Sequence, residues 1–510
     1  MGIDFELNNP SRKKTVKILA IGNYLTLALD VVQGLLFVPI FLNFLGSRMY
    51  GLWLGTGGVI AVLSFLDMGI ATLCVQRVAR EYGKKNYNKI GLYFFNGILI
   101  NLGFMLIMFL AGFMISLFLN YFFELNASEY KELSGAFLIA LLALILALIN
   151  NTVEGTLNSL QKPVFPKIVQ VLGVVLSIIT TYVLLIYDFG VIAIPIGMLV
   201  RYLFALLPNI VFLTILFYKN NIPIIKFDFL TIKDYLNLSP SLFLSKLGTS
   251  LVSNIEPTLI NIFITPEIAV YYSVTKKGGG LVRTILDRIG GIIYPSLSHL
   301  HASDDGKEFK KLVVNLVKII FPITLIGFLM FIIINGLFVD LWVGSENFLG
   351  YLMTFLIALS LMFGFLSNFS SYLISTTGDI KYPSIMVFFE SIAKLICLYL
   401  FLSILGIRGL PLSLFIVSFI FFIVYLRRWR NHIGLNQKEK KDLFNSILKS
   451  FITFTLIIGL AFIYTNYYST KSPIFLILIF CGTLLLCGVV LINQNTQMKQ
   501  FLIRKFKRKR

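Results

Sequence analysis

Charged residues make up only 13% of this 510-residue chain, against 57% hydrophobic ones. That is too little polar surface to cover a water-soluble globule, so the composition leaves a polytopic membrane protein. Cysteine is scarce as well. The four present, Cys74, Cys397, Cys481 and Cys487, all lie in apolar runs without metal-ligand spacing and read as buried, inert thiols. Histidine is rarer still at three residues. His299 and His301 stand near Asp304 and Asp305 at a span end, but their spacing fits a solvated loop better than a metal site. A Walker A sequence is lacking, which excludes P-loop ATP hydrolysis. A cleavable signal peptide is not expected, because Met1 to Asn9 is polar and acidic and the apolar run from Val16 exceeds an h-region. Glu6 stands where a myristoylation signal needs Ser or Thr. Long outer loops are missing too: the longest outer gap runs over about ten residues, Phe123 to Glu132. The single glycosylation pattern, Asn126-Ala-Ser128, carries little weight alone.

What the chain does have is long apolar runs. Taken as helices of about 18 to 30 residues, they predict spans near 16–45, 50–76, 90–122, 133–159, 168–187, 191–217, 238–264, 268–299, 312–338, 349–377, 383–405, 409–426, 447–466 and 474–493. The fold class is therefore an all-α polytopic membrane protein with about 14 transmembrane helices. The net charge of +20 could suggest a nucleic-acid partner. Its distribution argues for lipid instead. Basic residues fill alternate gaps, from Arg12, Lys13 and Lys14 to the tail Arg504 to Arg510, whereas the other gaps hold only Arg48, Lys131, Arg408 and Lys471. The positive-inside rule then places both termini in the cytoplasm. Anionic headgroups are the natural partners of the loop cations, and no nucleic acid is expected.

The segment from Asn151 to Pro166 overlays that from Asn368 to Pro383 without a gap, an offset of 217. With one residue of slippage Asp188-Phe-Gly190 falls opposite Ile404-Leu-Gly406, and Pro39 to Asn43 overlays Pro257 to Asn261. An offset of six helices, an even number, predicts parallel repeats: two six-helix bundles with a central cavity, followed by a C-terminal helix pair. The expected divisions are 1–225, 226–430 and 431–510, the last holding a cytoplasmic loop, the two extra spans and the basic tail.

Charges inside spans single out the candidate site. Each Lys or Arg near a bilayer centre costs roughly 2.5 to 3.5 kcal/mol on insertion scales, so several together must face water, a counter-charge or an anion. The eighth span carries Lys276, Lys277, Arg283 and Arg288; Arg201 and Lys246 lie in the sixth and seventh. At 100° per residue Lys276, Arg283 and Asp287 share one side, with Lys277 and Arg288 on a line about 100 to 120° away. The triple glycine Gly278 to Gly280 suggests a broken helix whose free donors suit an anion. The competing reading pairs Asp287 with Arg283 and assigns the glycines to close packing. Glu390 and Lys394, four apart, read as a structural pair. Asp30 and Glu256 have no obvious cation in their own helices apart from the distant Lys246. With Asp67 and Glu154 they are the ion-coupling candidates, helix-helix hydrogen bonding being the alternative. No cofactor or metal is expected; a proton or sodium gradient is the expected energy source.

Tyr50-Gly51-Leu-Trp53, Leu66-Asp67-Met-Gly69-Ile70, Gly155 to Gln161, Tyr271-Tyr272-Ser273-Val274, Tyr294 to Ser298 and Gly406-Ile-Arg-Gly409 resemble the polysaccharide transporter branch of the multidrug/oligosaccharidyl-lipid/polysaccharide exporter superfamily. The resemblance covers most of the chain, and its likeness to O-antigen and capsule repeat-unit flippases implies a non-enzymatic function. It implies alternating-access translocation of undecaprenyl-pyrophosphate-linked oligosaccharide across a bacterial inner membrane. Lys276, Lys277, Arg283, Arg288, Arg201 and Lys246 would line the headgroup cavity. A polysaccharide polymerase and chain-length machinery are the implied protein partners. The alternatives are a multidrug or cation exporter, whose cavity should be net acidic, and a membrane polymerase or ligase, which would need larger outer loops.

Overall fold

The computed structural model describes residues 12–223, 227–302, 306–379 and 381–432, with scattered residues between 437 and 452. Most of the span expected near 447–466, all of that near 474–493, Cys481, Cys487, Asp304, Asp305 and the basic tail lie outside the described residues.

The described residues form fourteen α-helices joined by short turns. In chain order they are α1 Arg12–Leu63, α2 Ile70–Gly83, α3 Tyr87–Leu117, α4 Leu119–Phe123, α5 Ala127–Ser159, α6 Val164–Ile186, α7 Ala193–Lys219, α8 Phe229–Asn254, α9 Glu256–Phe263, α10 Pro266–Ala302, α11 Gly306–Val343, α12 Tyr351–Ser375, α13 Lys381–Leu405 and α14 Gly409–His432. Among the described residues, eight helical stretches are long and apolar enough to cross a membrane. Two of them, Thr15–Asp67 and Lys381–Asn431, are long enough for two crossings each. The 52 residues of α1 would run about 78 Å as one straight rod. Gly46, at φ 72° and ψ 168°, breaks it between the predicted spans 16–45 and 50–76, the second of which continues in α1 only to Leu63.

By contacts the chain divides between Val270 and Tyr271 into two compact units. In the first, α7 packs against α5 and α6, and α2 against α3 and α5. The stripe Ile70, Leu73, Cys74 and Val78 turns one face of α2 into a core with Val153 and Leu157 of α5 and Leu213, Leu216 and Phe217 of α7. Apolar contact gives little drive between helices in lipid, so polar side chains help fix the pairs. Asn101 Nδ2 donates to Thr152 Oγ1 at 2.9 Å across α3 and α5, and Asn209 Nδ2 to Asn150 Oδ1 at 3.0 Å across α7 and α5. Asp228 caps α8 by accepting from the Thr231 amide at 3.0 Å. Arg77 Nη2 then ties α2 to α8 through Asp234 Oδ2 at 2.6 Å.

In the second unit α14 packs against α12 and α13, and α12 against α11. Asn335 of α11 donates through Nδ2 to Thr275 O of α10 at 2.9 Å and to Thr354 Oγ1 of α12 at 3.1 Å. The repeat appears in the internal order of the two units: α5, α6, a 3-10 turn at Gly190–Ile192 and α7 correspond to α12, α13, a 3-10 turn at Gly406–Arg408 and α14. Gly190 and Gly406 open those turns at φ 60° and 59°, a left-handed conformation that glycine adopts without Cβ strain.

Candidate functional site

Arg201 of α7 reaches the first helix. Its Nη1 donates to Asp30 Oδ1 at 3.0 Å, and its guanidinium carbon lies 5.7 Å from the centre of the Tyr202 ring. Asp30 has no cation close to it along α1, as its sequence surroundings indicated, but α7 supplies one. On the N-terminal side of this pair, α1 docks through residues four apart. Thr26 Oγ1 approaches Gln170 Oε1 of α6 at 3.5 Å, and a Cβ on Gly22 would stand 2.9 Å from the Lys167 side chain. Lys167 Nζ in turn donates to Glu154 Oε1 of α5 at 2.8 Å and to Gln170 Oε1 at 2.9 Å. Lys167 lies in one of the gaps rich in basic residues, yet the structure buries it, because Gly22 leaves room for its stem and Glu154 meets its charge. Glu154 is thereby a buried ion-pair partner.

Asp67 ends a 3-10 turn over Ser64–Asp67, where the predicted second span breaks. Met68 at φ 50° and Gly69 at φ 75° are left-handed, and a new helix, α2, starts at Ile70. Asp67 is buried in that break. Glu256 is the first residue of α9, followed by Pro257, and is also buried. The acidic group at a first turn is favoured by the helix dipole.

In the second unit the expected break at Gly278 to Gly280 does not occur: α10 runs unbroken from Pro266 to Ala302. Gly278 and Gly279 serve close packing instead, whereas a Cβ on Gly280 would meet nothing within 4 Å. A Cβ on Gly279 would lie 2.8 Å from Leu361 and 2.9 Å from Phe331, and one on Gly278 would meet Phe331 and Asn335 at 3.2 and 3.3 Å. Contact with α11 and α12 outweighs the roughly 1 kcal/mol per glycine by which propensity disfavours a helix. The free backbone donors inferred from the triple glycine are therefore withdrawn.

Arg283 follows one turn later. Its Nε donates to Asp287 Oδ2 at 2.9 Å and its Nη1 to the Leu361 carbonyl of α12 at 2.8 Å, with the Phe365 ring centre 5.6 Å away. The guanidinium is fixed by three different groups, and Asp287 meets part of its charge. Lys276 Nζ lies 5.8 Å from the Tyr272 ring centre. Lys277 is half-buried and Arg288 exposed. Lys246 belongs to α8, and its side chain lies outside the described residues. Deeper in this unit Glu390 accepts from Lys394 Nζ at 2.6 Å, as its spacing indicated, and also takes Ser367 Oγ on both carboxylate oxygens at 3.0 and 3.1 Å.

Thus the structure joins Arg201 to Asp30 and Glu154 to Lys167 in the first unit, and Arg283 to Asp287 in the second. Among the described residues, no group of three or more His, Cys, Asp or Glu could hold a metal ion.

The MatE family model matches residues 52–183. No curated protein sequence matches the chain. Among solved structures, one described as the lipid II flippase MurJ in an inward closed conformation superposes with a TM-score of 0.68 at 16% identity, covering 95% of this chain and 99% of its own. An inward-facing multidrug resistance MATE family transporter of the MOP superfamily gives 0.60 at 16% identity, covering 84% and 99%. An outward-facing one gives 0.57 at 16% identity, covering 84% and 98%. At these identities the likeness is one of fold: the chain is an all-helical, multi-pass membrane protein with the architecture of the MurJ and MATE transporters.

Proposed function

We propose that this chain is a flippase that carries undecaprenyl-pyrophosphate-linked oligosaccharide across a bacterial inner membrane by alternating access, both termini being cytoplasmic. The observation that carries the proposal is Arg283, an arginine of α10 held between α10 and α12 by the Leu361 carbonyl and Asp287. A guanidinium so held keeps N–H donors for a phosphate, which it binds in a planar fork. Lys276, Lys277 and Arg288 on the same helix, Arg201 on α7 and Lys246 on α8 add positive charge for the headgroup. The polyprenyl tail would stay in lipid. A fold shared with a structure described as a lipid II flippase agrees with this cargo class.

Asp30, Glu256, Asp67 and Glu154 are the groups through which a proton or sodium gradient would drive the cycle. A polysaccharide polymerase and chain-length machinery would consume the exported unit, and anionic lipids would contact the cytoplasmic cations. The fold shared with multidrug MATE transporters supports a second reading, export of drugs or organic cations. The excess of intramembrane basic over acidic residues opposes a cationic cargo.

Complementation of a flippase-deficient strain tests the proposal. Arg283→Ala and Lys276→Ala should each fail to restore surface glycan while reaching the membrane at the wild-type level. Full complementation by both would remove the cations from the account. Selective drug resistance without glycan export would favour the second reading.

A further inference from the structure

Gly364 stands on α12 three residues after Leu361 and one before Phe365, so the three make one patch on that helix. Arg283 of α10 lies on this patch. Its Nη1 donates to the Leu361 carbonyl at 2.8 Å, its guanidinium carbon is 5.6 Å from the Phe365 ring centre, and a Cβ on Gly364 would stand 2.9 Å from Nη1. A helical side chain covers the turn N-terminal to its own Cα, so a larger residue at 364 would lie over the carbonyl at 361. Glycine leaves the second lone pair of that carbonyl open to a donor from another helix.

Packing of helix on helix does not account for this glycine. A Cβ on Gly279 would meet Leu361 and Phe331, which are packing neighbours. Among the described residues, one on Gly364 would meet, besides Nη1, only Ser418 Oγ of α14, at an ordinary contact of 3.8 Å. The space over Gly364 is filled by the guanidinium.

Asp287 takes Nε and the Leu361 carbonyl takes Nη1. Nη2, with two N–H donors, has no hydrogen-bond partner among the described residues, and the Arg283 side chain keeps 17% exposure. We infer that Gly364 is a positioning residue of the anion site: by admitting Nη1 to the α12 backbone it fixes the plane of the guanidinium and leaves Nη2 for a phosphate oxygen. The inference rests on the anionic-headgroup reading above and deepens it. The far end of an arginine moves easily, so alanine at 364 displaces Nη1 at little cost to folding, and alanine is itself the better helix former. The displaced guanidinium loses the Leu361 carbonyl and with it the fixed direction of Nη2. A substitution that spares stability and weakens the ligand separates positioning from packing.

The test uses the full chain purified in detergent, with inorganic pyrophosphate as the probe. By titration calorimetry Gly364→Ala should bind pyrophosphate about tenfold more weakly than wild type, a change of about 1.4 kcal/mol. Its thermal midpoint should be no lower. Gly280→Ala, whose Cβ meets nothing within 4 Å, should keep the wild-type affinity. Phenylglyoxal labelling of Arg283 without ligand, read by mass spectrometry, reports the guanidinium directly: it should run faster in Gly364→Ala than in wild type or Gly280→Ala. Unchanged affinity in Gly364→Ala, or equal labelling rates, would overturn the inference while leaving the anion site standing. A lowered midpoint or failure of Gly364→Ala to fold would assign the glycine to packing and overturn it equally. Absence of pyrophosphate binding by folded wild type would overturn the inference together with the reading it rests on.

Discussion

Asn261 donates through Nδ2 to the carbonyl oxygen of Gly51 at 2.9 Å, joining α9 to the second half of α1. Thr258 Oγ1 bonds the Gly55 carbonyl one turn on, at 2.6 Å. Such bonds need backbones in close approach, which the glycines at 51, 55 and 58 provide, in the manner of small residues at membrane helix interfaces. A Cβ at Gly55 would stand 2.4 Å from Asn261 Nδ2 and one at Gly58 2.2 Å from Thr258 Oγ1, whereas Gly57 faces open space. Gly55→Val should therefore lower the thermal midpoint of the detergent-purified protein strongly, and Gly57→Ala should leave it unchanged or raise it through helix propensity worth about 1 kcal/mol.

The Glu154 and Lys167 side chains are only 10% and 11% exposed. Removing one partner of a buried pair leaves an uncompensated charge, at a cost of about 3 to 5 kcal/mol. Glu154→Ala should cost that much in folding stability. The double variant Glu154→Leu/Lys167→Met should recover most of it, as read by thermal unfolding of membrane-inserted protein.

The equivalent glycines of the repeat separate conformation from space. At Gly406 a Cβ meets nothing within 4 Å, so alanine there costs only the left-handed backbone, about 1 to 2 kcal/mol. At Gly190 a Cβ would also collide with the Glu132 carboxylate, whose Oε1 accepts from the Val191 amide at 2.7 Å. Gly190→Ala should be the more destabilising of the two, and Glu132→Ala should reduce the difference.

The architecture was largely legible because lipid imposes long apolar helices and charge-marked loops. With one residue of slippage the repeat offset placed Gly190 opposite Gly406, and the apolar runs separated the two halves of α1 at Gly46. The site was legible in composition and less so in partnership. Arg201 and Asp30 are 171 residues apart, a pairing no helical spacing could reveal, whereas Arg283 and Asp287 stand one turn apart and were readable. Lys167 resembled its loop neighbours because the groove above Gly22 is a tertiary feature. The triple glycine misled for the same reason: propensity marks Gly278 to Gly280 as weak helix, and only the positions of Phe331 and Leu361 show why an unbroken helix needs glycine at 278 and 279.

Transport of an anionic lipid-linked glycan with the help of arginines is measured most directly as flipping of a fluorescent polyprenyl-pyrophosphate-linked oligosaccharide in proteoliposomes, followed by quenching from the outer side. Wild-type protein should give rapid quenching, and Arg201→Ala and Arg283→Ala should each flip at least about tenfold more slowly, a barrier increase of about 1.4 kcal/mol each. Gradient-driven efflux of a cationic dye should not occur. Wild-type flipping rates in both variants, or dye efflux without glycan flipping, would contradict arginine-assisted glycan transport.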